Sequence, residues 1–146
     1  MTAQPRIAVE RGHVEPGYAH YDDLDLMGFV HNCRYPVMVE RALTGFWSRN
    51  GFTYAEGKYS QPDIFLAVAE FTIRYRAPIR GTVPYAVHFW ISKLAETSVV
   101  YDFRVLSEDG RTVHAEGHRV HIRIDTETFR PTPWTPTFRE VAGKLL

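Results

Sequence analysis

Several features that would point to a compartment or a partner are scarce in this chain. Its 146 residues include a single cysteine, Cys33, which excludes an internal disulfide framework. Charge of one sign is missing too, because seventeen Lys and Arg balance seventeen Asp and Glu. No global field therefore draws the chain to nucleic acid or to an anionic membrane surface. No apolar run approaches bilayer-spanning length, and Met1-Thr2-Ala3-Gln4-Pro5-Arg6 lacks the basic-then-apolar pattern of a signal peptide. The expectation is a soluble, cytoplasmic protein with no membrane insertion and no nucleic-acid partner. Internal repeats and low-complexity tracts are also lacking.

What the chain does have is apolar and aromatic material, 45% and 14% of its residues, which excludes disorder as the dominant state. The length predicts a single domain over residues 1–146 with one core. Residues 1–10 read as a loose lead-in. Residues 126–146, rich in Pro and Thr, read as a tail that crosses the surface and ends in a short helix at about 137–145.

Between these ends the hydrophobic period changes once. A first strand is predicted over about 12–21, interrupted at Pro16-Gly17. Asn32 is a candidate N-cap, and Pro36 is tolerated only near a helix start, so the helix is predicted to begin close to Asn32. Tyr35, Met38 or Val39, Ala42 and Phe46 form one apolar stripe, widened by Val37, Leu43 and Trp47. A helix so apolar must be buried against something large. Asn50-Gly51 supplies its left-handed end. The polar stretch 52–63 reads as a mobile connection or flap.

From Ile64 onward the period is two. Ala67, Ala69, Phe71, Ile73 and Tyr75 alternate, then Val83, Tyr85, Val87, Phe89 and Ile91, then Val99, Tyr101, Phe103 and Val105. A final strand over about 111–124 follows the Glu108-Asp109-Gly110 hairpin signal. The connections are too short for parallel crossovers, so these strands are antiparallel. The predicted class is α+β, a curved antiparallel sheet of about five strands wrapped around one long central helix.

The candidate chemistry lies just before that helix. Asp22, Asp23 and Asp25 fall within four positions and are followed by Gly28. Any one loop aspartate is most simply a turn former. A carboxylate held near a helix start has a second use, because free N–H groups there suit the developing oxyanion of acyl transfer. If the loop folds back at Gly28, a carboxylate seven residues upstream can face Asn32. His88, His114, His118 and His121 show no convergent metal clamp and read as surface or interface histidines. Cys33 reads as a small packing residue, and Trp47, Trp90 and Trp134 as core and interface.

The run Asp23-Leu24-Asp25-Leu26-Met27-Gly28-Phe29-Val30-His31-Asn32-Cys33-Arg34-Tyr35, with Glu40 beyond it, resembles the signature of the hotdog-fold thioesterases. The nearest type is the 4-hydroxybenzoyl-CoA thioesterase-like and acyl-CoA thioesterase group. Tyr75, Pro78, Arg80, Gly81 and Asp109-Gly110 extend the likeness over roughly residues 10–135. The resemblance implies a hotdog fold and hydrolysis of a fatty or aromatic acyl thioester to a free acid and a thiol. It implies Asp25 as nucleophile or general base and the Asn32 backbone N–H as the group that polarises the carbonyl. It also implies substrate contacts from Phe29, His31 and Tyr35, with Asp23 and Gly28 shaping the loop. Glu40 is expected to be a buried, paired charge. No metal or cofactor is expected beyond a CoA thioester as substrate. The turn Lys93-Leu94-Ala95-Glu96-Thr97 carries one base and one acid, which leaves acyl-CoA and acyl carrier protein both open as the thiol carrier. The family implies a homodimer or homotetramer with sites at the subunit interface. Two alternatives share the fold: a thioester hydratase or dehydratase, whose asparagine-proline helix start is lacking here, and a non-catalytic protein binding acyl or aromatic ligands.

Overall fold

A computed structural model describes residues 7–146, so the first six residues of the expected lead-in lie outside the described residues. The first strand, β1 (His13–Tyr18), runs straight through Pro16-Gly17. It can do so because β1 is an edge strand, paired only with β5, where a missing N–H costs no ladder bond. The long helix α1 spans Tyr35–Arg49 and is preceded by a 3-10 turn over Asn32–Arg34. Asn50 and Gly51 end it, the glycine at φ +90°.

Asn32 does not cap this helix. The ring Nδ1 of His31 takes the Cys33 N–H at 3.1 Å and so serves the 3-10 turn. Pro36, in the first turn of α1, has no N–H to satisfy.

The stretch after α1 is more ordered than its polarity suggested. It holds a short hairpin, β2 (Tyr54–Ala55) with β3 (Lys58–Tyr59). Its turn residues Glu56 and Gly57 both have positive φ, the conformation that tight two-residue hairpins require.

Four long strands complete the fold: β4 (Leu66–Tyr75), β5 (Pro84–Leu94), β6 (Ser98–Ser107) and β7 (Val113–Arg123). The main sheet has the order β1-β5-β6-β7-β4, with every neighbour antiparallel. The inward parity of β5 and β6 is as the alternation predicts: Tyr85, Val87, Phe89, Ile91, Val99, Tyr101, Phe103 and Val105 are buried, although Val83 is not. Met38, Val39, Ala42, Leu43 and Phe46 of α1 join them in one core.

In β4 the expected alternation fails at its first half. The pairing with β7 shifts between Val68 and Glu70, leaving Ala69 as a bulge. One extra residue reverses the parity, so Leu66 precedes the bulge on the inner side, Phe71 and Ile73 follow it there, and Ala67 and Ala69 are exposed.

The tail also departs from expectation. Instead of crossing the surface, it plugs one end of the core. Helix α2 (Pro136–Ala142) is capped by Thr135, whose Oγ1 accepts from Phe138 N. Trp134 stacks on Phe138 at 4.1 Å, and Phe138 stacks on Trp47 of α1 at 4.6 Å. The buried Asp63 carboxylate anchors the approach, accepting from Thr135 N at 2.8 Å and Thr135 Oγ1 at 2.7 Å. Pro and Thr here set a cap and an entry angle, which composition alone cannot separate from a surface path. Among the described residues, no helix is long and apolar enough to cross a membrane.

Candidate active site

The acidic loop folds back on itself. Asp25 N donates to Phe29 O at 2.7 Å, Gly28 N donates to Asp25 O at 3.1 Å, and Leu24 bridges to Val30. Gly28 has φ +78°, a left-handed position that favours glycine. The loop is clamped from outside by the segment between β4 and β5: Val30 N donates to Ile79 O, Gly81 N to Gly28 O, and Phe29 bridges to Arg80. Arg80 also lies over the Phe29 ring at 5.1 Å.

The three aspartates have separate environments. Asp22 is exposed, with Arg34 at 3.7 Å. Asp23 is buried and accepts from His20 N at 2.8 Å and Arg34 Nε at 2.9 Å, while its carbonyl takes His31 N. Burial pushes its carboxyl up, but the His20 amide and the Arg34 guanidinium outweigh that and hold it below the ordinary value. Asp25 is half-buried, and its Oδ1 accepts from Met27 N at 2.8 Å and Phe29 N at 3.1 Å. Its other oxygen has no hydrogen-bond partner among the described residues.

Asp25 and Asn32 line one cavity of about 360 Å³, together with Phe29, His31, Tyr35 and Tyr75. Backbone donors around it are mostly spent. His31 N goes to Asp23 O, Cys33 N to His31 Nδ1 and Arg34 N to His31 O. The Asn32 N–H has no acceptor among the described residues. Tyr75 holds the same turn from the sheet, its hydroxyl donating to Asn32 O at 3.0 Å and its ring meeting Tyr35 edge-on at 5.1 Å. The pieces for carbonyl activation, a free amide and a carboxylate with one free oxygen, therefore share one cavity. Cys33 is exposed beside it, which corrects its reading as a packing residue.

A larger cavity, about 730 Å³, lies further along α1 between that helix, the β2–β3 hairpin, β4, β7 and α2. Sequence reasoning missed its polar wall. Arg119 is 5% exposed and His121 8%, so His121 is not a surface histidine; neither is His88, whose ring bonds Arg11 O at 2.8 Å and Arg104 at 2.9 Å. Arg119 Nε donates to His121 Nε2 at 2.7 Å, and Arg119 reaches Glu40 at 3.3 Å. Glu40 is the exposed member of that pair, its side chain 62% accessible, which corrects its expected burial. The signal was legible: Arg119 has the inward parity of Ala115 and His121, and a charge on a core-facing position calls for explanation. Among the described residues, no group of His, Cys, Asp and Glu is placed to hold a metal.

Comparison with known proteins gives the family and the fold. The profile of the thioesterase-like superfamily matches residues 19–141, and the chain belongs to that family. It is thereby a thioester hydrolase by class. Curated proteins show no significant sequence match. Among solved structures, a Pseudomonas aeruginosa protein is 21% identical at a TM-score of 0.81, covering 93% of this chain and 92% of that one. A 1,4-dihydroxy-2-naphthoyl-CoA thioesterase from Synechocystis is 14% identical at 0.78, covering 90% and 96%. A thioesterase from Thermus thermophilus, complexed with coenzyme A and Zn, is 21% identical at 0.72, covering 88% and 95%. At such identities the likeness shows the fold, which is the hotdog fold.

Proposed function

We propose that this chain hydrolyses an acyl-CoA or acyl-carrier-protein thioester through Asp25 and the Asn32 backbone N–H. The observation that carries the reading is the pairing, on one cavity, of an unspent amide at the start of the α1 segment with a carboxylate whose second oxygen is free. The thioester carbonyl oxygen sits against the Asn32 N–H, where negative charge develops. In the base route, Asp25 takes a proton from water as the water oxygen bonds the acyl carbon. The C–S bond then breaks, and the leaving thiolate takes up that proton. In the nucleophile route the new C–O bond forms to Asp25 itself as the C–S bond breaks and the thiolate leaves. Water then bonds the acyl carbon of the mixed anhydride, its proton goes to the thiolate, and the bond to Asp25 breaks to restore the carboxylate. Neither route draws on a metal or cofactor. Phe29, His31 and Tyr35 wall the reacting group, and Asp23 and Gly28 hold the loop. Arg76 lines the same cavity and Arg80 lies over Phe29, so basic groups stand beside it for the phosphates of the thiol carrier.

The working unit in this reading is a homodimer or a tetramer built from it. The β4 edge of the sheet is ten residues long and unpaired among the described residues, and it carries exposed Val68 and Tyr75. At the tip of the acidic loop beside the cavity, Leu26 stands fully in solvent and Met27 is largely exposed. A long edge and an apolar loop tip next to one site favour a second copy there. By contrast, β1 is only six residues long and carries Pro16, which has no N–H to offer a further strand.

The test is a panel of acyl-CoAs and acyl carrier protein thioesters assayed with wild type and Asp25→Asn. Asparagine keeps an oxygen for Met27 N and Phe29 N but offers no base, so turnover should fall by about a hundredfold or more while the fold persists. Asp25→Ala should lose both activity and the loop bonds, about 1 kcal/mol for each. Equal turnover by wild type and Asp25→Asn would remove Asp25 from the reaction. Absence of turnover on every thioester would favour a non-catalytic acyl-binding protein, a reading supported by the turn-forming bonds that Asp25 Oδ1 already makes.

A further inference from the structure

The large cavity is apolar on most of its surface, with Leu43, Trp47, Phe52, Leu66, Val68 and Phe138 in its walls. Arg119 and His121 interrupt that surface from β7. Their hydrogen bond fixes the chemistry of both. A guanidinium Nε can only donate, so His121 Nε2, 2.7 Å away, must be the unprotonated nitrogen. The ring proton is therefore on Nδ1, which has no partner among the described residues. Burial and then the Arg119 charge lower the His121 pKa to about 3, so the ring stays a neutral donor across the working range. Arg119 in turn has its charge balanced by Glu40 at the rim. Arg119, His121 and Glu40 thus present donors and no net charge, while the Asp63 carboxylate, elsewhere in the lining, is taken up by Thr135 and lies 3.8 Å from Arg123.

Both cavities use α1 as a wall. Tyr35, the first residue of α1, lines the smaller one with Asn32 just before it, and Glu40 lies about 7.5 Å beyond Tyr35 along the helix at 1.5 Å per residue. Arg119 also reaches Pro36 O at 3.5 Å, one residue past Tyr35, so an acyl chain that starts at Asn32 and follows α1 runs toward the Arg119–His121 wall. We propose that this pair recognises an uncharged oxygen, a hydroxyl or keto group, on the distal part of a mainly hydrocarbon acyl group. This rests on the thioester reading above and names the substrate class for it. A cavity built to hydrogen-bond a group rejects the analogue that lacks it, because its donors are then left buried and unpaired.

The test uses thioethers of pantetheine, the arm common to CoA and acyl carrier protein, so that binding is read without turnover. S-decyl, S-(ω-hydroxydecyl) and S-(ω-carboxyalkyl) pantetheine are titrated calorimetrically into the full chain. The ω-hydroxy compound should bind about threefold to tenfold tighter than the alkyl one, the range a neutral hydrogen bond supports. His121→Gln, whose amide can both accept from Arg119 and donate, should keep the preference, and His121→Leu should lose it. Equal or tighter binding of the alkyl compound would overturn the proposal, as would tightest binding of the ω-carboxy compound, the mark of an anion site. Should His121→Leu fail to fold, nitrogen NMR of wild type decides. The His121 Nδ1–H signal must move with the ω-hydroxy compound and not with the alkyl one, and an unmoved signal overturns the assignment. Preference without turnover of any thioester would sink the hydrolase reading alone; turnover without preference would sink this one alone.

Discussion

Phe138→Ala is the sharpest test of how the tail builds this molecule. Phe138 is buried, stacked on Trp134 at 4.1 Å and on Trp47 at 4.6 Å, and it meets Phe52 edge-on at 6.0 Å. Truncating a core phenylalanine costs about 3–5 kcal/mol, and three aromatic partners place this site toward the upper end. For a domain of this size about 3–4 °C of melting temperature accompanies each kcal/mol, so the variant should melt roughly 10–20 °C below wild type. The loss should be cooperative, because Trp47 belongs to α1 and Phe52 follows it, while Trp134 lies in the tail. Differential scanning calorimetry gives the melting shift, and near-ultraviolet dichroism reports the broken Trp–Phe–Trp stack. A shift under about 5 °C, with the aromatic dichroism unchanged, would refute the reasoning and return the tail to the surface.

Two more predictions concern the loop and the sheet. The Asp23 carboxyl, lowered in the folded state, contributes stability that is complete above its unfolded value of about 3.9 and is lost as pH falls through the folded value. Asp23→Asn should therefore flatten the acid limb of urea-unfolding stability against pH, and an unchanged acid limb would contradict the His20–Asp23–Arg34 assignment. Gly117→Ala should loosen the β4–β7 pairing, since its methyl would overlap the Thr72 carbonyl oxygen of the neighbouring strand. A cost of about 2 kcal/mol or more is expected, with faster amide exchange along β4, and wild-type exchange rates there would argue against that register.

Local patterns in the sequence were enough for much of this. The apolar stripe of α1, the parity of β5 and β6, the Asp109-Gly110 hairpin and the acidic loop before the helix all depend on residues near one another in the chain. Those patterns repeat at 3.6 or 2 residues and so can be read in order. The resemblance of the run from Asp23 to Tyr35 to the thioesterase signature then singled out Asp25 and Asn32 as a pair worth testing. Tertiary structure decided the rest. The bulge at Ala69 is a matter of register against β7, and no period within β4 reveals it. The tail enters the core because Asp63 and Trp47, distant in sequence, offer its residues an anchor and a stacking surface. Asp25 reaches the cavity of Asn32 because Ile79, Arg80 and Gly81 clamp the loop from another part of the chain. Arg119, His121 and Glu40 become one polar wall only when β7 lies against α1. Elements are specified by neighbours along the chain, whereas the cavity's chemistry comes from pairings between elements, which local periodicity does not encode.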